Sequence, residues 1–217
     1  AELLTEGLML LAAGHRARAY FLAVAAIEEA GKAFLAFEGQ GRNLNDSAVT
    51  ARLRRALEDH SQKVTSAFIP MFITSPDIRQ MLMPMIDLMI GVKRGREPSM
   101  YTDIDYESGE IRQPTLAVRD AAARDCIRLA GDCLLSVQQY VKNRTPSSKS
   151  AVDDELFSLR PELMRKILNR EDFWWFYIDR LEAGALDFAT AVTTYRREYV
   201  DKEKVYRRFS NSNPTDD

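Results

Sequence analysis

Histidine and cysteine are scarce, with two of each in 217 residues. Cys126 and Cys133 lie seven positions apart on what reads as one helix, too far along a straight helix to bond to each other. The expectation is therefore a reduced, intracellular chain with no disulfide framework. Two separated histidines and two such cysteines do not make a zinc site, and no Glu-x-x-His pair marks a di-iron bundle. Neither a phosphate-binding glycine loop nor a dinucleotide fingerprint is present, so no metal and no cofactor is expected. Long apolar runs are missing as well. Arg, Glu or Asp interrupts each one before the roughly 18–20 residues of a membrane span, and no basic segment precedes the first, which points to a cytoplasmic protein without a membrane partner. Charge of one sign is also absent, since 30 basic residues stand against 32 acidic ones. The whole molecule has no strong field for nucleic acid, and any such binding must come from a local patch.

What the chain does have is helix. Hydrophobic residues make up 46% of it, enough for one sizeable core or a core with an appended subdomain. From about Glu2 to Glu38 the apolar positions Tyr20, Val24, Ile27, Phe34 and Leu35 share a stripe, giving one long helix or two that meet near Gly14. Gly39, Gly41 and Asn43 stop it. Asn45, Asp46 or Ser47 caps a second helix that runs to about Ile69 and ends before Pro70. A Met-rich helix from about Pro76 to Val92 follows, kinked or restarted at Pro84, with Met81, Met83, Met85 and Met89 read as core. Residues 93–114 break into Gly, Pro, Ser and alternating charge. They read as a long loop with a short strand pair around Tyr101–Tyr106 and Glu110–Arg112, and a loop of that length in a compact domain is usually functional or disordered. A helix from Thr115 to about Val141 closes a four-helix core. Past the Ser-rich joint at Pro146–Ser150, helices are expected near Asp153–Asn169, Glu171–Leu181 and Ala185–Phe209. The division is thus a bundle over 1–145 and a helical extension over 146–217 with a disordered tail.

Four polar groups stand out against this background. Glu28, Glu29 and Lys32 sit in a stretch otherwise made of Ala, Leu, Phe and Val, where a charge must find a partner. The Glu28–Lys32 spacing alone supports the helix by only about 0.2–0.5 kcal/mol, so another part of the molecule is expected to meet Glu28, Glu29 or Lys32. On the second helix, His60 falls about 60° from the Leu57–Val64 line, at the border of the buried face, with Arg55 before it and Lys63 one turn on. A histidine so placed serves as acid or base when a carboxylate holds it, or is a core histidine satisfied by a neighbouring helix. Glu28 or Glu29 is expected to meet His60 or Lys63. Tyr101, Asp103 and Asp105 share one side of an extended segment, which is expected to fold back over the helices of Lys32 and Lys63 with an Asp paired to a Lys or Arg. The basic, aromatic segment Tyr195–Phe209, with Arg196, Arg197, Lys202, Lys204, Arg207 and Arg208, reads either as an RNA contact or as an amphipathic helix packing its aromatics. His15 reads as structural or solvated.

Three blocks in this order and spacing, LAVAAIEEAGKAFLAF, Arg55-Ala-Leu-Glu-Asp-His60-Ser-Gln-Lys63, and Arg96-Glu-Pro-Ser-Met-Tyr101-Thr-Asp103, resemble the abortive-infection AbiV family of the HEPN superfamily over roughly residues 1–145. The resemblance implies an all-α fold, a HEPN-like four-helix up-and-down bundle with an additional C-terminal helical extension, commonly a homodimer, in bacterial defence against phage. It further implies a toxin acting on RNA or translation as a metal-independent ribonuclease, with Arg55 stabilising the phosphate and His60 acting on the 2′-hydroxyl or the leaving oxygen across a composite dimer cleft. Ala56 stands where such ribonucleases usually carry a polar residue. The alternative is a non-catalytic helical protein that binds a phage-encoded activator or a host translation component. In that reading Glu28, Glu29, Lys32, Lys63, Arg96, Tyr101, Asp103 and Asp105 form a binding or structural network.

Overall fold

A computed structural model describes residues 1–74, 78–104, 107–185 and 187–207. The chain divides into two compact units, one of Ala1–Gly41 with Leu53–Ser147, the other of Arg42–Arg52 with the chain from Ser148 onward. Both are built from helices. The first unit holds α1 (Glu2–Ala12), α2 (Arg16–Gly39), the second half of α3 (Ser47–Glu58), α4 (His60–Thr74), α5 (Ile78–Gly95), a short α6 (Pro114–Ala117) and α7 (Asp120–Lys142). Gly14, at a φ of 81°, makes the turn between α1 and α2 at no steric cost. Helix α2 is the centre of the unit and packs on α1, α4 and α7. Val24, Ile27, Val64, Phe68, Ala130 and Cys133 are the heart of that core. His15 is exposed just ahead of α2.

Several boundaries differ from the sequence expectation. The single second helix is two: Asp59 interrupts it, and its carboxylate accepts the Gln62 N–H at 2.8 Å, which makes it the N-cap of α4 and His60 the first residue of that helix. Helix α4 does not end before Pro70 but runs through it to Thr74, and α5 likewise continues through Pro84. Pro70 is fully buried, so packing holds the helix together where the missing N–H weakens it. Met85 is core while Met83 is exposed, and Met81 lies among side chains outside those described. The expected helix from Thr115 begins instead at Asp120, behind α6. In the loop after α5, β1 (Asp103–Ile104) and β2 (Ile111–Arg112) pair antiparallel, with Asp103 opposite Arg112 and Ile104 opposite Ile111.

In the second unit Pro161 splits the helix expected over 153–169 into α8 (Ala151–Ser158) and α9 (Pro161–Leu168). These are followed by α10 (Glu171–Glu182) and α11 (Phe188–Tyr195), which passes into one π-turn over Arg196–Val200 rather than continuing to Phe209. Ser150 and Asp153 cap α8 reciprocally, and Asp187 caps α11. Buried Asp154 accepts from Arg42 and from the Asn43 N–H, both at 2.9 Å, and so joins the Arg42–Arg52 segment to this unit. Tyr195, Tyr199 and Tyr206 pack edge-to-face on Phe173 and Phe176, while Arg196 and Arg197 pair with Glu155. The aromatics of this basic segment are therefore inside the unit. Arg208, Phe209 and the expected tail lie outside the described residues.

Candidate functional site

One carboxylate organises the first unit's polar interior. Glu28 is buried on α2, and its two oxygens receive three donors: Arg96 Nε at 2.9 Å on Oε1, His60 Nδ1 at 2.8 Å and Lys63 Nζ at 3.1 Å on Oε2. His60 and Lys63 lie one turn apart on α4, so they meet α2 on the same face. Arg96 is the first residue past α5. Burial alone would push the Glu28 carboxyl up, but the hydrogen bonds from His60 and Lys63 and their charges hold it below the ordinary carboxylate value. It is an anion shared by cations, with the Lys63 side chain only 6% exposed.

A glycine makes this meeting feasible. Gly31 lies one turn beyond Glu28, and a Cβ built on it would come 1.9 Å from the Lys63 carbonyl oxygen and 3.2 Å from the Ala67 nitrogen. The α4 backbone thus rests directly on α2 at Lys63, and that approach brings the short His60 ring and the Lys63 ammonium onto Glu28. Gly95 on α5 makes room for a side chain instead, since a Cβ there would meet the Tyr20 hydroxyl at 2.2 Å. Tyr20 donates to the Gly91 carbonyl at 3.3 Å, and burial pushes its phenol well above the ordinary value. After α5, Ser99 is buried and donates to the Arg96 carbonyl at 2.5 Å, which fixes the turn that carries Arg96.

The far side of His60 opens to space. Its side chain is 53% exposed and lines a cavity of about 450 Å³ with Lys93, Arg94, Arg96, Tyr101, Asp103 and Arg112 among its neighbours. Glu28, as an anion, can only accept, so Nδ1 donates to it, and in the neutral form of the ring the lone pair is on Nε2. The Arg96 guanidinium stands 3.4 Å from that Nε2. Lys93 donates to Thr65 at 2.8 Å, and burial lowers its pKa, with Asp59 pulling it back up. An imidazole of fixed tautomer beside several cations can accept a proton from a bound hydroxyl next to an anionic group. Among the described residues no group of three or more His, Cys, Asp or Glu side chains stands close enough to hold a metal ion, and no helix is long and apolar enough to cross a membrane.

The structure separates the residues singled out in the sequence. Glu28, His60, Lys63 and Arg96 are brought together. Glu29 and Lys32 are not part of that group: they point outward and pair with each other at 2.6 Å, so the Glu28–Lys32 spacing is not used. Tyr101 and Asp103 line the cavity, but Asp103 accepts the Ile104 N–H at 2.8 Å and has no ion pair among the described residues. Asp105 lies outside the described residues. Arg55 is exposed on α3 and is not among the residues lining the cavity at His60. Gly31, Asp59, Lys93 and Ser99 were not singled out. Of these only Asp59 carried a local signal, an Asp three residues ahead of Gln62.

Comparison with protein-family models matches residues 1–135 to HEPN_AbiV, described as AbiV. No curated protein and no solved structure matches the chain.

Proposed function

The chain belongs to the HEPN_AbiV family, matched over residues 1–135, and from that premise we propose that this abortive-infection protein of HEPN type is a toxin that cuts RNA without a metal ion, using the cavity at His60. The observation that carries the reading is His60 itself, held at Nδ1 by a buried carboxylate and half exposed at the edge of a cation-lined cavity. In the proposed step, His60 Nε2 takes the proton of a ribose 2′-hydroxyl. That oxygen bonds to the adjacent phosphorus as the bond to the 5′-oxygen breaks, and the departing 5′-oxygen takes a proton from solvent water, leaving a 2′,3′-cyclic phosphate and a 5′-hydroxyl. Arg96, with Lys93 and Arg112, offsets the charge that builds on the phosphate. Arg96 thereby takes the phosphate role first expected of Arg55. In the homodimer that the family resemblance implies, Arg55 would serve the cleft of a second copy.

A second reading, a non-catalytic helical protein that recognises a phage or host partner and arrests translation, draws on a different observation. Arg96 already stands against His60 Nε2, and Glu28 is fully occupied, so the polar group is knitted internally. RNA cleavage in the presence of a chelator separates the two. The first reading expects cutting by the wild type, a loss of roughly 10²–10⁴-fold in His60→Ala, and a loss in Arg96→Ala. Intact RNA after incubation with folded wild type, or cutting that survives His60→Ala, rejects the ribonuclease reading.

A further inference from the structure

We infer that Tyr101 is a base-stacking residue that gives the His60 cavity a subsite for an unpaired nucleobase; the inference rests on the reading of that cavity as an RNA site. Tyr101 lies on the cavity wall and is 59% exposed as a residue. Its side chain has no hydrogen bond and no ring contact among the described residues, in a chain whose other large aromatic clusters are packed ring on ring. The fold does not use this ring, yet it fixes the backbone beneath it. The Tyr101 N–H donates to the Glu97 carbonyl at 3.0 Å, the Met100 N–H to the same oxygen at 2.9 Å, and the Ser99 N–H to the Gly95 carbonyl at 3.2 Å. A pre-placed aromatic face is thus held out where a ligand can reach it.

The rest of the cavity says what kind of ligand. Lys93, Arg94, Arg96 and Arg112 supply positive charge on the same walls, which suits a phosphate chain, while the apolar face of Tyr101 suits a flat ring. A volume of about 450 Å³ falls in the range of small-ligand sites and not of a groove for a helix. Stacking needs a free π-face, and a base inside a duplex has both faces covered by its neighbours. Such a site prefers a looped or single-stranded segment and tolerates any base identity, since stacking reads no base edges.

The test is fluorescence anisotropy of a labelled mixed-sequence RNA hexamer on full-length His60→Ala protein, which holds RNA without turnover. The same hexamer in a duplex and an abasic hexamer serve as comparison ligands. The single strand is expected to bind tighter than the duplex. Tyr101→Ala is expected to weaken the single strand by about 5- to 150-fold and Tyr101→Phe to leave it within about twofold. Binding of the abasic strand and the thermal midpoint should not change in either variant. Equal binding by Tyr101→Ala, or equal losses on the normal and abasic strands, overturns the inference while leaving RNA cleavage at His60 intact. Tyr101-dependent binding without any cleavage by the wild type supports the subsite and rejects the ribonuclease reading. A folded protein that binds none of the three overturns both in favour of a protein partner on this face.

Discussion

Replacing Gly31 with alanine should dismantle the polar site without touching one of its polar groups. The added methyl would sit 1.9 Å from the Lys63 carbonyl oxygen and 2.7 Å from its carbon, so α4 must move by about 1 Å or more to reach ordinary contact. Overpacking usually costs about 1–3 kcal/mol, and here the obstacle is main chain in a packed helix, which cannot rotate aside as a side chain does. The cost therefore belongs at or above the top of that range. Alanine returns roughly 1 kcal/mol of helix propensity, which leaves a net loss of about 2 kcal/mol or more. Gly91 is the control, because a Cβ there meets nothing within 4 Å on an exposed side of α5. Gly91→Ala should be neutral or stabilising by up to about 1 kcal/mol. Urea unfolding followed by far-UV circular dichroism compares the two, and Trp174 and Trp175, both in the second unit, report that unit separately by fluorescence. A Gly31→Ala protein as stable as wild type would refute the claim that α2 and α4 are in backbone contact, and so would a loss no larger in the first unit than in the second.

Glu28→Ala should cost about 3–5 kcal/mol, because it strands a buried Lys63 and a largely buried Arg96 without their anion. Since the folded Glu28 carboxyl lies below its ordinary value of 4.5, its contribution is complete above about that pH and is lost as pH falls through the folded value. Wild type should lose stability on acidification in that window more steeply than Glu28→Gln, and parallel curves would contradict the assignment. Asp59→Ala should cost about 0.5–2 kcal/mol through the lost N-cap of α4 and should lower RNA cleavage by loosening His60, a result checked by unfolding and by the chelator-treated cleavage assay. Burial pushes the Cys126 and Cys133 thiols up to about 12, so neither should react with a thiol reagent at pH 8 in the native protein, and both should react in urea; fast native labelling would show that the core between α2 and α7 is open.

Much of the architecture was legible because helices announce themselves by period. The apolar stripe through Tyr20, Val24 and Ile27, the Gly14 turn and the alternating residues of the hairpin each follow from local sequence. The break at Asp59 was hidden by continuity, since Leu57 and Val64 carry one stripe across it. Pro70 was misread as a terminator because its burial is a tertiary fact and its ring is a local one. Glu28 and Glu29 are neighbours about 100° apart on a helix, so one faces the interior and the other faces water, and composition alone does not say which. Arg96 reaches Glu28 across 68 positions, a distance at which no spacing rule operates. Gly31, to which no local pattern points, is the place where two backbones touch.

The hairpin that contributes Asp103 and Arg112 to the cavity lining is held, among the described residues, by a ladder of two residue pairs, Asp103 with Arg112 and Ile104 with Ile111, whereas His60 on the same lining is anchored to α2 through a buried ion cluster. Two-stranded ribbons on their own are marginal in water. Amide hydrogens in this pocket should therefore exchange on two clocks. Those of α4 wait for α2 and α4 to part, while those of the hairpin wait only for a few strand bonds to break. The pocket thus combines a firmly anchored lining with a weakly held one.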